Sequence, residues 1–140
     1  MGIRQLSVFV ENKKGSLHEI TDVLARANID LRSMCIADTS DYGIVRIIAN
    51  DPVRAQEVLN QAGHTANIRT ITAFAVPDQP GGLARVLSLL EENGVNIEYL
   101  YALITTCAEK AYTVLRTDDT EKAERILKEN GIELLDEEHI

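Results

Sequence analysis

The sequence predicts an α+β chain made of two tandem βαββαβ units, each an antiparallel sheet with both helices on one face. Three observations predict it. "GSLHEITDVLARANIDL" (15–31) lies without a gap over "GGLARVLSLLEENGVNI" (81–97), 66 positions on. "DPVRAQEVLNQAG" (51–63) lies over "DTEKAERILKENG" (119–131), now 68 positions on, so two residues are inserted near the polar turn Thr105 to Lys110. Self-similarity at a fixed period marks a repeated structural unit. Finally, the apolar spacing switches between the two-residue period of a strand and the 3.6-residue period of a helix, in the same order in both copies. The units are expected at 1–69 and 70–140.

The elements of the first copy follow in order. Leu6, Val8 and Val10 alternate with Ser7 and Phe9, a strand. Ser16 and Glu19 have the S-x-x-E spacing of a capping box, and Leu17, Ile20, Leu24 and Ala27 make one apolar helical stripe. Ile29 to Ala37 and Gly43 to Ala49 read as strands joined by the turn Thr39-Ser40-Asp41. Asp51 caps a second helix with Pro52 at its first position, and Gly63 ends it. Thr65 to Arg69 is the fourth strand.

The second copy repeats the order: strand Thr72 to Val76, helix Gly82 to Asn93, strands Asn96 to Ile104 and Ala111 to Arg116, helix Thr120 to Asn130, strand Ile132 to Leu135. Such units fold as ferredoxin-like sheets. Each copy alone is small, so the two are expected to pack side by side. In the second strand, Tyr99 and Tyr101 match Ser33 and Cys35 and are expected to fill the core under the helices. On the other face Arg32 matches Glu98, an opposite-charge pair expected between the units.

Composition narrows the function. Of the 140 residues 45% are apolar and 26% charged, the profile of a soluble globular protein. No apolar run approaches the roughly 18 residues of a membrane helix, and no secretory segment opens the chain. The net charge of −8 argues against nucleic acid, which needs a clustered basic surface. Cys35 and Cys107 have no CxxC spacing and fit reduced thiols, so a cytoplasmic protein is expected. His18, His64 and His139 show no metal-ligand spacing, and no nucleophile–base arrangement is present. The expectation is a non-enzyme with no cofactor and no metal.

Two features point to a ligand. Gly15 and Gly81 stand where a strand hands over to a helix within a few residues. The first amides of such a helix are unpaired and its dipole favours an anion, which a small carboxylate could supply. A phosphate loop would need more glycines and a Lys-Ser/Thr pair, and neither copy has them. Asn96, at the start of the second strand of copy two, is expected near the glycine turn. Its amide can donate to a carboxylate and accept from an ammonium, as an α-amino acid requires.

The βαββαβ unit, the turns "VENKKGSL" and "VPDQPGGL" and the stretch "GVNIEYLYA" together resemble the ACT domain, over essentially the whole chain. The resemblance implies a regulatory, amino-acid-binding protein whose units pair through their second strands into an eight-stranded sheet. The ligand would sit at that seam, held by the β1–α1 turn of one unit and the second strand of its neighbour. Carried over by position, the ligand-binding residues are Asn12, Gly15, Ser16, Leu17 and Asp30 in copy one. In copy two they are Asp78, Gly81, Gly82, Leu83 and Asn96. Copy one departs from the pattern: Asp30 would repel a carboxylate, and Lys14 takes the place of the proline before the glycine.

The expected partners are a free amino acid, a second copy of the chain in a homodimer and a metabolic enzyme. Ligand would act by shifting the population of one pairing geometry. A structural adaptor without a metabolite and a nucleotide sensor of the same topology are the alternatives. The second of these would want a basic phosphate loop, which the sequence lacks.

Overall fold

The computed structural model describes residues 2–37, 40–104 and 108–140. The chain divides into two compact units, one spanning Arg4–Thr70 and the other Ile71–Ile140 with the first residues of the chain.

The first unit holds β1 (Ile3–Glu11), α1 (Ser16–Arg26), β2 (Leu31–Ala37), β3 (Tyr42–Ala49), α2 (Pro52–Gln61) and the start of β4 (Ala66–Pro77). Its strands lie in the order β2-β3-β1-β4. Antiparallel register sets Leu6 against Ile47 and Val10 against Gly43 in one pair, and Leu31 against Ala49 and Ala37 against Ile44 in the other. Strand alternation then puts Leu6, Val8, Val10, Val45 and Ile47 on one face. Ile20 and Leu24 of α1 and Ala55 and Leu59 of α2 pack on that face in a single core. Asp51 caps α2 as expected: its carboxylate accepts from the Arg54 N–H at 3.1 Å, with Pro52 at the first position.

The second unit holds the rest of β4, α3 (Gly82–Glu92), β5 (Ile97–Ala102), β6 (Lys110–Thr117), α4 (Thr120–Glu129) and β7 (Glu133–Leu135), with a short 3₁₀ turn at Glu137–His139. The order is β7-β4-β6-β5, matching the first unit strand for strand. Phe74, Val76 and Leu115 from the sheet meet Val86 and Leu90 of α3 and Ile126 and Leu127 of α4 in a second core. Asp119 caps α4 by accepting from the Lys122 N–H at 3.1 Å. This is the α+β, tandem βαββαβ architecture that the repeat predicted.

Three expectations are corrected. Thr65–Arg69 and Thr72–Val76 are one continuous strand, because Thr70-Ile71 between them supplies β-branched residues and no turn former. The capping box at Ser16 does not form. Gly15 is the N-cap of α1, no side chain caps it, and Ser16 is the first helical residue. Tyr99 and Tyr101 do not fill the core. Leu100 between them packs with the helices, while the two rings stack at 6.4 Å on the opposite face. A bulge between Ile97 and Tyr99 sets this phase.

Arg32 and Glu98 each have a partner in their own unit: Arg32 with Asp30 at 3.2 Å, Glu98 with Arg116 at 2.8 Å. The turn expected at Thr39-Ser40-Asp41 and the insertion near Thr105 fall partly outside the described residues, as does Cys107.

Candidate glycine-turn ligand site

Each unit starts its first helix with the same backbone turn. Gly15 has φ 89° and ψ −8°, and Gly81 has φ 87° and ψ −7°. These are left-handed angles that glycine alone adopts without a steric penalty. The turns coincide although Lys14 precedes one glycine and Pro80 the other. Beyond each turn the pairing is also the same. The Ser16 N–H donates to Lys13 O and the Glu19 N–H to Gly15 O; in the second unit Gly82 donates to Gln79 O and Arg85 to Gly81 O. Among the described residues the N–H groups of Leu17 and His18, and of Leu83 and Ala84, find no backbone acceptor. Two amides at the positive end of each helix are thus open to an oxygen anion.

In the first unit the turn overlooks a cavity of about 180 Å³. Val10, Asn12, Ser16 and Leu17 line it from the turn side, and Ile36, Ala37 and Gly43 from the sheet. Gly43 keeps it open, since a Cβ there would stand 3.1 Å from Ala37 O and 3.4 Å from Val10 Cγ1. Ser16 is only 7% exposed, and its hydroxyl has no hydrogen-bond partner among the described residues. The Asn12 amide donates to Ser40 O at 3.3 Å, tying the turn to the β2–β3 connection. The volume is below the roughly 300–1,000 Å³ of pockets for drug-sized ligands, so only a compact molecule fits.

The first unit therefore brings Asn12, Gly15, Ser16 and Leu17 together, and the second brings Asp78, Gly81, Gly82 and Leu83 together in the matching turn. Asp30 and Asn96 stand elsewhere. The Asp30 N–H donates to the Asn50 side-chain oxygen while the Asn50 N–H donates to Asp30 O. Asn96 and Asp118 repeat the exchange with amide and acid reversed. These pairs lie beyond the ends of β3 and β6, at the far end of each unit from its turn. About six residues of strand intervene, on the order of 20 Å. The reason is topological. β1, α1 and β2 form a parallel crossover, so it is the end of β2 that returns beside the turn.

Sequence reasoning consequently missed Ile36, Ala37 and Gly43. The register of the β2–β3 hairpin was the signal that could have found them. Among the described residues β2 is hydrogen-bonded only to β3 and β5 only to β6, so each unit ends in a one-sided edge strand. Among the described residues no group of three or more His, Cys, Asp or Glu side chains could hold a metal ion. No helix among them is long and apolar enough to cross a membrane.

None of the curated proteins is a significant match to this sequence. Solved structures are similar over nearly the whole chain. A protein from Bacteroides thetaiotaomicron is 41% identical, with a TM-score of 0.89 over 96% of this chain and 92% of that one. The ligand-free regulatory subunit of aspartate kinase from Thermus thermophilus is 15% identical, with a TM-score of 0.69 over 94% of both chains, and shares the fold. The corresponding subunit from Thermus flavus is 17% identical, with a TM-score of 0.63 over 92% of both chains. The family model that describes the ACT domain pair matches residues 1–140, and the chain belongs to that family.

Proposed function

We propose that this protein is a non-catalytic, cytoplasmic regulatory protein that binds a small amino acid at its glycine turns and passes that state to a metabolic enzyme. The observation that carries the reading is the repeated turn, with left-handed glycines at φ 89° and 87° and two open helix amides beyond each. A carboxylate there accepts from both amides and meets the positive end of the helix dipole. The aliphatic lining of Val10, Leu17 and Ile36 in the first unit suits the ligand's side chain.

The one-sided strands β2 and β5 support a homodimer. An antiparallel pairing of such an edge with that of a second chain sets the start of one strand beside the end of the other. It would carry the partner's Asp30 or Asn96 side chain toward a turn that its own unit leaves about 20 Å away. Asn96 suits a carboxylate and an ammonium, and Asp30 the ammonium alone. The likeness to regulatory subunits of aspartate kinase supports an enzyme partner.

The test is thermal unfolding of the purified chain with each of the twenty amino acids, and with ATP, ADP and AMP as controls. A ligand at about 100 Kd stabilises the folded state by about 2.7 kcal/mol, which raises Tm by about 8 °C in a chain of this size. One or two amino acids should do so, and Asn96→Ala should reduce the shift. If every amino acid leaves Tm unchanged, the reading fails.

A further inference from the structure

The sheet of the first unit has an outer face, opposite its helices, and that face carries an exposed apolar patch. Register sets Tyr42 beside Glu11, Ile44 beside Phe9 and Arg46 beside Ser7, all alternating with the core residues Val8, Val10 and Val45. Phe9 is 57% exposed and Tyr42 62%, with Ile44 half-buried beside them. Further along the same face Ser33 and Ile48 are buried, so the patch is confined to the glycine-turn end. Single exposed apolar side chains are ordinary, but groups paired across neighbouring strands make a continuous patch of the kind that partners cover.

The repeat supplies an internal comparison. Phe9, Glu11, Tyr42 and Arg46 correspond to Ala75, Pro77, Lys110 and Val114 in the second unit. Ala75 and Val114 are buried there, and Lys110 pairs with Glu133. The patch is thus particular to the first unit.

Charge says what fits it. Residues 4–70 carry eight Lys or Arg and eight Asp or Glu, so the whole net charge of −8 lies on the rest of the chain. A second copy approaching by its first unit meets no net charge, whereas approach by the second unit sets −8 against −8. The patch itself is polar at both ends, with Glu11 at one, Arg46 at the other and Phe9 and Ile44 between. Four strand residues separate the ends, about 13 Å. Such a pattern is complementary to itself after a half-turn. Lys13 Nζ lies 3.2 Å from Glu11 Oε2, but that pair is exposed and holds Glu11 weakly.

We propose that this patch is a docking surface for a second copy of the chain, related by a two-fold axis through the Phe9–Ile44 pair. Each Glu11 then faces Arg46 of the other copy, and the rings of Phe9 and Tyr42 are covered. The surface is separate from the strand edges and from the turn cavity, and it requires neither edge pairing nor ligand.

The experiment is sedimentation equilibrium of the full chain at micromolar to millimolar concentration, with circular dichroism verifying the fold of each variant. Phe9→Glu and Tyr42→Glu should each halve the mass of the associated species, whether or not the edges also pair. Val53→Glu, at an exposed apolar residue of α2, should leave it unchanged. Glu11→Lys sets like charges face to face and should weaken association about tenfold; adding Arg46→Glu, which reverses both signs, should restore it. A chain that stays monomeric overturns the proposal. So does an unchanged mass in both folded patch variants, equal loss in Val53→Glu, or a folded double variant that fails to re-associate.

Discussion

Alanine at Gly82 and alanine at Ser16 occupy the same place in the repeat, yet their effects on stability should have opposite signs. A Cβ built on Gly82 would stand 2.5 Å from the carbonyl oxygen of Pro77, and that oxygen belongs to the backbone of the turn. Forcing extra volume against a packed backbone costs about 1–3 kcal/mol. Replacing glycine by alanine in a helix returns at most about 1 kcal/mol, and less in the first turn. The clash wins, so Gly82→Ala should destabilise the chain by about 1–2 kcal/mol.

At Ser16 the Cβ is already accommodated, and only a buried hydroxyl without a partner among the described residues is lost. An unsatisfied buried polar atom is itself a cost, so Ser16→Ala should be neutral or stabilise by about 1 kcal/mol. Urea unfolding at 25 °C, followed by circular dichroism, reads both from the shift in midpoint at constant slope. An unchanged or raised midpoint for Gly82→Ala would refute the clash argument and mean that the turn relaxes around a side chain. A clear loss of stability in Ser16→Ala would refute the claim that its hydroxyl is unsatisfied.

Two further outcomes follow from the geometry. Asp51→Ala and Asp119→Ala each remove a carboxylate that accepts from a helix amide at 3.1 Å; each should cost about 1 kcal/mol in the same urea assay. Leu24→Ala, at a fully buried position, should cost about 2–5 kcal/mol, whereas Leu17→Ala, 36% exposed, should cost far less and instead weaken amino-acid stabilisation in the thermal assay.

Most elements were legible because their signals are local. Asp51 followed by Pro52 and ending at Gly63 marks a helix wherever it stands, and α2 is where those residues put it. Ser16 shows the limit of such reasoning. Its spacing to Glu19 satisfies the capping-box rule, yet Gly15 takes the cap position in a left-handed conformation and leaves Ser16 inside the helix. The tyrosines of β5 show another. Strand alternation in the sequence fixes which residues share a face, but a bulge at Glu98 decides which face meets the helices.

The repeat, the α+β class and the order of elements were determined by the sequence alone, through periodicity, caps and the placement of glycine. The two glycine turns were determined with them, because the left-handed backbone they need strongly favours that residue. Tertiary structure decided what surrounds the turns. The parallel crossover carries the end of β2, not its start, beside the turn, so Ile36, Ala37 and Gly43 line the cavity while Asp30 and Asn96 stand at the opposite end of their units. It also decided that Ser16 and His64, 48 positions apart in the chain, line one hollow. Such meetings depend on strand order and register, which residues far apart in sequence settle only by packing together.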